Sequence, residues 1–326
     1  MELLAGDIGG TNTRLAIYQT NDGVNFQALA EEIFPSREFQ TLEQILKLFL
    51  DNNQAAIKRA CFGIAGPIID QTCDATNLPW QISAALISKE FGFDHCSLLN
   101  DLEANAWGIG ALGEHDFHTL NPGQPGRIGN ASIISAGTGL GEAGLYWDGQ
   151  IHRPFPSEGG HTDFSPSNKL EYELNEFLAA RHGHVSWERL VSGPGLENIH
   201  AFLRHHHASL EPDWLQQKIR QSGAAPVISE TALAKRDPIC EEALDIFVTL
   251  YAREAANHAL KILASAGVYL GGGIAPKILP RLEEADFLQA FFNKGRMRHL
   301  VEAMPVKVIL NDKAALLGAA RFAALH

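Results

Sequence analysis

The stretch Leu3-Leu4-Ala5-Gly6-Asp7-Ile8-Gly9-Gly10-Thr11-Asn12-Thr13-Arg14-Leu15-Ala16-Ile17-Tyr18 decides the fold. An apolar run, two glycines with a hydroxyl, and a second alternating run predict a strand, a tight turn and a returning strand. Asp7 falls at the end of the first strand, beside backbone amides that no side chain covers. A carboxylate there can hold a metal or its water, while Gly9, Gly10 and Thr11 offer donors to phosphate oxygens. A plain Gly-Gly hairpin with an acidic neighbour explains the same residues equally well.

Working outward, the first third alternates strand and helix. Leu42, Ile45, Leu46, Phe49 and Leu50 recur at helical spacing, Arg59 to Ala65 is a short strand, Ser83 to Phe91 is helical, and Cys96 to Leu99 is a compact strand. That strand runs into Asn100-Asp101, with a helix from Leu102 to about Leu112 and Asp101 at its N-cap. A second set opens near Ala131, with strands at Ile133 to Ala136 and Gly144 to Trp147. Long helices over 169–181, 196–207 and 241–265 follow, then a strand at Val268 to Leu270, a helix from Pro276, a strand at 306–310, and a small-residue helix at 314–324. Two halves that each open with strands and a glycine turn predict two similar α/β units with a cleft between them. The boundary is read near Gly110 to Gly113, and the last helix is expected to cross back onto the first unit. The units are thus residues 1–111 with 312–326, a small α/β domain, and residues 112–311, a large one.

Composition bounds the function. The chain has 326 residues, 45% hydrophobic and 20% charged, and a net charge of −12 without an acidic tail or basic block. This fits an ordinary soluble protein and argues against nucleic acid or an anionic membrane as partner. The start carries acids where a signal peptide needs cations, and the apolar stretch Ile262 to Ile274 is short and glycine-rich. Four separated cysteines without a Cys-x-x-Cys pair read as free thiols in a reducing cytoplasm.

A second strand-ending glycine loop is Gly137-Thr138-Gly139-Leu140-Gly141. From Gly139 it also matches a dinucleotide fingerprint through Gly141 and Gly144, but that motif needs a helix after the glycines, and here a strand and hairpin follow. Two such loops, one per half, can clamp a polyphosphate. Gly271-Gly272-Gly273 is a third glycine turn, and reads either as room for a flat base or as a tight strand-to-helix turn. Asp101 is either a simple cap or a general base for a hydroxyl attacking a phosphoryl group, and Asn100 beside it tilts the reading toward the base. Glu158-Gly159-Gly160-His161 has Glu-x-x-His spacing, yet the glycines break a helix, so the loop reads as presenting Glu158 and His161 to hydroxyls of a small polar ligand. Glu188 sits in the first turn of a helix capped by Ser186, as a binding group or as a dipole partner. His205-His206-His207 reads as a solvated face, and Trp80 as a ring floor or a loop anchor.

In this order, Gly6-Asp7-Ile8-Gly9-Gly10-Thr11-Asn12, Asn100-Asp101, Gly137 to Gly141, Glu158 to Phe164, Glu188 to Leu196 and Gly272-Gly273-Ile274-Ala275-Pro276 resemble the bacterial glucokinases of the non-ROK type, in the hexokinase/actin-like ATPase superfamily. The resemblance covers nearly the whole chain. It implies the two-domain actin-like (ribonuclease H-like) fold, each domain a mixed sheet flanked by helices, with an interdomain cleft. It implies ATP- and Mg²⁺-dependent phosphorylation of the glucose 6-hydroxyl, the first step of glycolysis, in a cytoplasmic homodimer. By position it makes Asp101 the catalytic base and Asn100, Asp101, Glu158, His161 and Glu188 the sugar ligands. Gly6, Asp7, Ile8, Gly9, Gly10, Thr11, Gly137, Thr138, Gly139, Gly272 and Gly273 become the ATP ligands, with Asp7 holding Mg²⁺ through water. The cysteine-rich zinc motif of the ROK kinases is missing, so no structural zinc is expected. Asn77 and Trp80 keep only part of a family motif, which leaves another hexose open as substrate. A sugar-responsive repressor would carry an N-terminal helix-turn-helix and a basic surface, and a silent sugar sensor would have no need of Asp101.

Overall fold

A computed structural model describes residues 1–53, 55–75, 78–124 and 126–326; Asn77 lies outside the described residues. The strands are β1 (Glu2–Ile8), β2 (Asn12–Gln19), β3 (Gln27–Pro35), β4 (Arg59–Ile64), β5 (Thr72–Asp74), β6 (Gln81–Ser83), β7 (His95–Asn100), β8 (Phe117–Asn121), β9 (Ala131–Ala136), β10 (Leu140–Trp147), β11 (His152–Ser157), β12 (Gly267–Gly271) and β13 (Val306–Ile309). The helices are α1 (Leu42–Asn53), α2 (Ala84–Phe91), α3 (Asp101–Gly108), α4 (Lys169–His182), α5 (Gly193–His206), α6 (Asp213–Ser222), α7 (Ala224–Leu233), α8 (Pro238–Ile262), α9 (Leu279–Leu282), α10 (Ala285–Phe292), α11 (Arg298–Glu302) and α12 (Ala314–Leu325). Two compact units emerge: residues 1–116 with 151–155 and 311–326, and residues 117–150 with 156–310.

The first unit is a five-stranded sheet in the order β3-β2-β1-β4-β7. The hairpin pairs Asp7 with Arg14 across antiparallel β1 and β2, while β1, β4 and β7 run parallel. Alternation in β1 and β2 splits the apolar residues between two faces. Leu4, Ile8, Leu15 and Ile17 pack with α1 residues Leu42, Ile45, Leu46 and Phe49. Leu3, Ala5, Ala16 and Tyr18 pack with α12 residues Leu316, Ala319 and Ala320. The strands are therefore buried on both sides, as parallel sheets require. Leu316 is fully buried, and truncating it to Ala would cost about 2–5 kcal/mol. α12 lies so close to α3 that a Cβ at Gly318 would collide with the Ala104 carbonyl, and one at Gly108 with the Ala314 carbonyl. Glycine is required there by approach of the two backbones.

The second sheet has the order β11-β10-β9-β12-β13-β8. Its apolar face joins α4, α5, α7, α8 and α10 in one core through Ile134, Leu178, Ile199, Val227, Phe247, Tyr251 and Phe287. α8 starts from Asp237, whose carboxylate accepts the Cys240 N–H, with Pro238 in the first turn. The Tyr251 hydroxyl donates to the Ile134 carbonyl at 3.2 Å and ties α8 to β9. All four cysteines are free thiols, and no helix among the described residues is long and apolar enough to cross a membrane.

Three local expectations are corrected. The cap of α3 is Asn100, whose Oδ1 accepts the Leu102 N–H at 3.0 Å, so the amide next to Asp101 has a structural task and Asp101 is the first helical residue. No helix starts at Pro276, because residues 272–278 form a run of turns in which the Ile274 N–H is spent on the Ala136 carbonyl; the helix begins at Leu279. Glu188 lies in a single 3₁₀ turn, Trp187–Arg189, and the Ser186 side chain makes no capping bond.

Candidate active site

In the first unit the polar residues sit where strands end. Gly6 and Ile8 are buried within β1, Gly6 because a Cβ would strike the Phe62 ring. Gly9, Gly10 and Thr11 form the turn itself, closed by the Gly9 N–H on the Asn12 carbonyl at 2.9 Å. Ser36 fixes its far side: its N–H donates to the Thr11 carbonyl at 2.9 Å and its hydroxyl to the Gly9 carbonyl at 2.8 Å. Asp7 is partly buried at the end of β1, and its carboxyl is pushed up to about 6, first by burial and then by the charge of Asp101. Asp312 pushes in the same direction and Arg14 opposes it.

Asp101 opens α3, and its Oδ1 accepts the Leu102 N–H at 2.8 Å. Burial raises its pKa, and the Leu102 N–H and the Asn100 side chain hold it back. Asn100 spans its surroundings, with Nδ2 donating to the Gly66 carbonyl at 3.1 Å. Sequence reasoning missed Asp312 and Arg14, which pair at 3.1 Å. The signal was present: Asn311-Asp312 follows an apolar strand and precedes a helix, like Asn100-Asp101. Even the turn repeats, since Asn311 Oδ1 accepts the Lys313 N–H at 2.9 Å, two residues on.

In the second unit three loops meet. The Gly137–Gly141 loop is closed by the Gly137 N–H on the Gly139 carbonyl, and the Gly193 N–H donates to the Gly137 carbonyl at 2.8 Å. Glu188 Oε2 accepts the Leu140 N–H at 3.0 Å, and a Cβ at Gly139 would strike that oxygen. Its Oε1 stands 3.9 Å from His161 Nδ1, and His161 Nε2 stands 3.9 Å from Glu158 Oε2. Glu158, His161 and Glu188 are thus brought to one place, with Glu158 91% exposed, His161 61% and Glu188 29%. The loop bearing the first two is braced by the Thr162 hydroxyl on the Gly159 carbonyl at 2.7 Å and by the Trp187 N–H on the Thr162 carbonyl at 3.1 Å. His184 Nε2 and Asp163 Oδ1, 2.8 Å apart, close the same strap from outside. Gly272 has φ +78°, and a Cβ there would strike the Ala136 carbonyl, whereas Gly273 faces open space. Thr138 lies in the bend of the loop between Gly137 and Gly139.

Other polar features take structural places. Trp80 is buried and donates from Nε1 to the Phe39 carbonyl, so it anchors a loop. In the His triplet, His205 stacks on Phe177, His206 meets Glu173 at 3.2 Å and His207 meets Glu242 at 2.9 Å. Among the described residues, His200, Asp237 and Cys240 form the one group with metal-ligand spacing, and the Arg204 guanidinium already pairs with Asp237 at 2.8 Å.

A family model described as Glucokinase matches residues 4–326. The glucokinase of Nostoc punctiforme is 42% identical, over 99% of this chain and 98% of its own. The crystal structure of a glucokinase from an Antarctic psychrotroph superimposes with a TM-score of 0.89 at 29% identity, covering 100% of this chain and 99% of that one. A ROK family glucokinase from Streptomyces griseus, solved with glucose and AMPPNP, shares the fold at a TM-score of 0.64 and 19% identity, with both chains fully covered. The architecture is thus the α/β actin-like ATPase fold, with mixed sheets flanked by helices. By sequence match and by fold, the chain belongs to the glucokinase family.

Proposed function

We propose that this protein transfers the γ-phosphoryl group of ATP to the 6-hydroxyl of glucose, giving glucose 6-phosphate and ADP, with Asp101 as general base. The observation that carries the reading is the double use of Glu188: one oxygen holds the amide of a glycine loop, and the other stands beside His161. A single carboxylate thereby couples a phosphate loop to a group of hydroxyl-binding side chains. Glu158, His161 and Glu188, with Asn100, bind the sugar hydroxyls, since carboxylates accept and imidazole both donates and accepts.

Phosphoryl transfer asks the protein chiefly for positioning and charge stabilisation. Asp101 accepts the proton of the 6-hydroxyl as its oxygen attacks the γ-phosphorus and ADP leaves. Burial raises the Asp101 pKa, which makes it a stronger base than a solvated aspartate. The Gly9 and Gly137 N–H groups close their turns, which leaves the backbone amides of Gly10 and Thr11, and of Thr138 and Gly139, to donate to phosphate oxygens, and Gly272 and Gly273 give the nucleoside room. The first unit fits a divalent cation: Asp7 is desolvated beside Asp101 and Asp312, a repulsion that added positive charge relieves. Asp7 would hold Mg²⁺ through water, where the ion would neutralise charge on the β- and γ-phosphates.

Coupled ATP turnover over a panel of glucose, mannose and N-acetylglucosamine tests this. Glucose is expected to give the highest kcat/KM. Preference for another hexose would change the substrate, and no turnover with any sugar would replace the kinase with a sugar-binding regulator.

A further inference from the structure

Beneath the loop that carries Glu158 and His161 lies a buried acid with no part in the reaction above. Glu142 sits in β10 opposite Ile134 of β9, and its residue is only 1% exposed. A Cβ at Gly159 would collide with its Oε2, so the carboxyl packs directly against the glycine between Glu158 and Gly160. Neither of its oxygens receives an N–H or O–H donor. An ionised carboxylate left in that state is among the costliest groups a protein can bury.

The neighbours indicate where the proton is. His258 of α8 is 3% exposed, and its Nε2 lies 3.0 Å from the Ala143 carbonyl, which can only accept. That contact assigns the ring proton to Nε2, so Nδ1 of the neutral ring is an acceptor, 3.3 Å from Glu142 Oε2. Glu254, also on α8 and fully buried, is the second carboxyl acting on Glu142. Its Oε2 accepts from Asn257 Nδ2 at 2.8 Å, and Lys261 Nζ stands 3.6 Å from its Oε1. Lys294 adds positive charge, held by Asn257 and the Arg253 carbonyl. Lys261 also acts on Glu142 and opposes the rise there, but its ion pair is with Glu254, whereas Glu142 faces an acceptor and an anion. From the loop side come His161 and Glu158, and β9 supplies no titratable side chain over Ala131–Ala136. Two carboxyls in contact are stable with one proton between them and repel with none.

We propose that Glu142 is a positioning residue for the sugar-binding loop: in its protonated form it packs under Gly159 and holds Glu158 and His161 in register, and its ionisation loosens that loop. The inference rests on the assignment of Glu158 and His161 to glucose. Burial, then the charge of Glu254, pushes the Glu142 carboxyl up to about 8, which puts the transition within reach of an assay.

The test is KM and kcat for glucose from about pH 6.5 to about pH 9.5, in a range where glucose itself does not titrate. For the unmodified protein KM is expected to rise about tenfold with a midpoint near 8, while kcat changes little. Glu142→Gln, an uncharged group of the same shape, should keep the neutral-pH KM within about twofold and abolish the alkaline rise. Glu254→Gln should move the midpoint to lower pH by removing the opposing charge. A flat KM profile in the unmodified protein, or a rise that survives in Glu142→Gln, would overturn the assignment. If Glu142→Gln does not fold, the unmoved midpoint of Glu254→Gln serves the same purpose. His161→Ala separates the two levels: a raised KM there with no response to Glu142 removes this inference alone, whereas an unchanged KM removes the sugar-loop assignment as well.

Discussion

The two units use their acids in opposite ways. In the first, Asp7, Asp101 and Asp312 are set on strand ends and helix starts, close enough that each raises the cost of ionising Asp7. In the second, Glu158, His161 and Glu188 are spaced 3.9 Å apart on loops, with Glu158 almost fully exposed. Crowded, desolvated carboxylates suit cation and proton handling. Spaced, wetter groups suit recognition of hydroxyls, each of which needs its own donor or acceptor. Regular elements hold the first set, and backbone hydrogen bonds from Thr162, Trp187 and Gly193 hold the second. The lesson is that repulsion needs a stiff support, whereas recognition tolerates a braced loop.

The contrast breaks most sharply at Asp101. Asp101→Asn should lower turnover by roughly 10²–10⁴ with little change in glucose KM, measured in a coupled assay. A large rise in KM with turnover preserved would move Asp101 into the recognition set. Next comes Glu188→Ala, which removes both a proposed sugar contact and the partner of the Leu140 amide. It should raise the KM for glucose and for ATP, each by roughly 10–100-fold. His161→Ala should raise only the glucose KM, by about tenfold. Equal effects of His161→Ala on both substrates would erase the distinction between loop and ligand. Smallest is a stability effect of Asp7. An acid whose pKa is raised on folding to about 6 keeps its proton where the unfolded chain, near 3.8, has lost it. Stability should therefore fall as pH rises from about 4 to about 6, by on the order of 1–2 kcal/mol. Urea titrations should show this slope, and Asp7→Asn should flatten it.

Much of this was legible in the chain because the signals are local. The opening hairpin, the parallel strands and α12 follow from apolar periodicity, and the glycine loops from residues that cannot sit within helices. β3 was missed because it is an edge strand whose residues are mostly exposed or half-buried, so the period-two pattern is absent. Pro276 misled because a proline suits a first helical turn, while tertiary bonding of Ile274 to Ala136 delays the helix. The grouping of Arg14 with Asp312 joins residues 298 positions apart, which no local pattern can reveal. Glu142 reads in sequence as one polar residue of a strand, and only packing against Gly159 and α8 gives it a task.

The helix that carries Asp101 leans on α12 through Gly108 and Gly318. A ribosome makes α12 only after every residue of the second unit, so the first unit acquires one wall of its core after that unit has been synthesised. The second unit has its whole sequence before α12 exists, and the helix that carries the proposed base gains its support only afterwards. A chain cut short before Ala314 would therefore carry the proposed sugar loop without a settled Asp101.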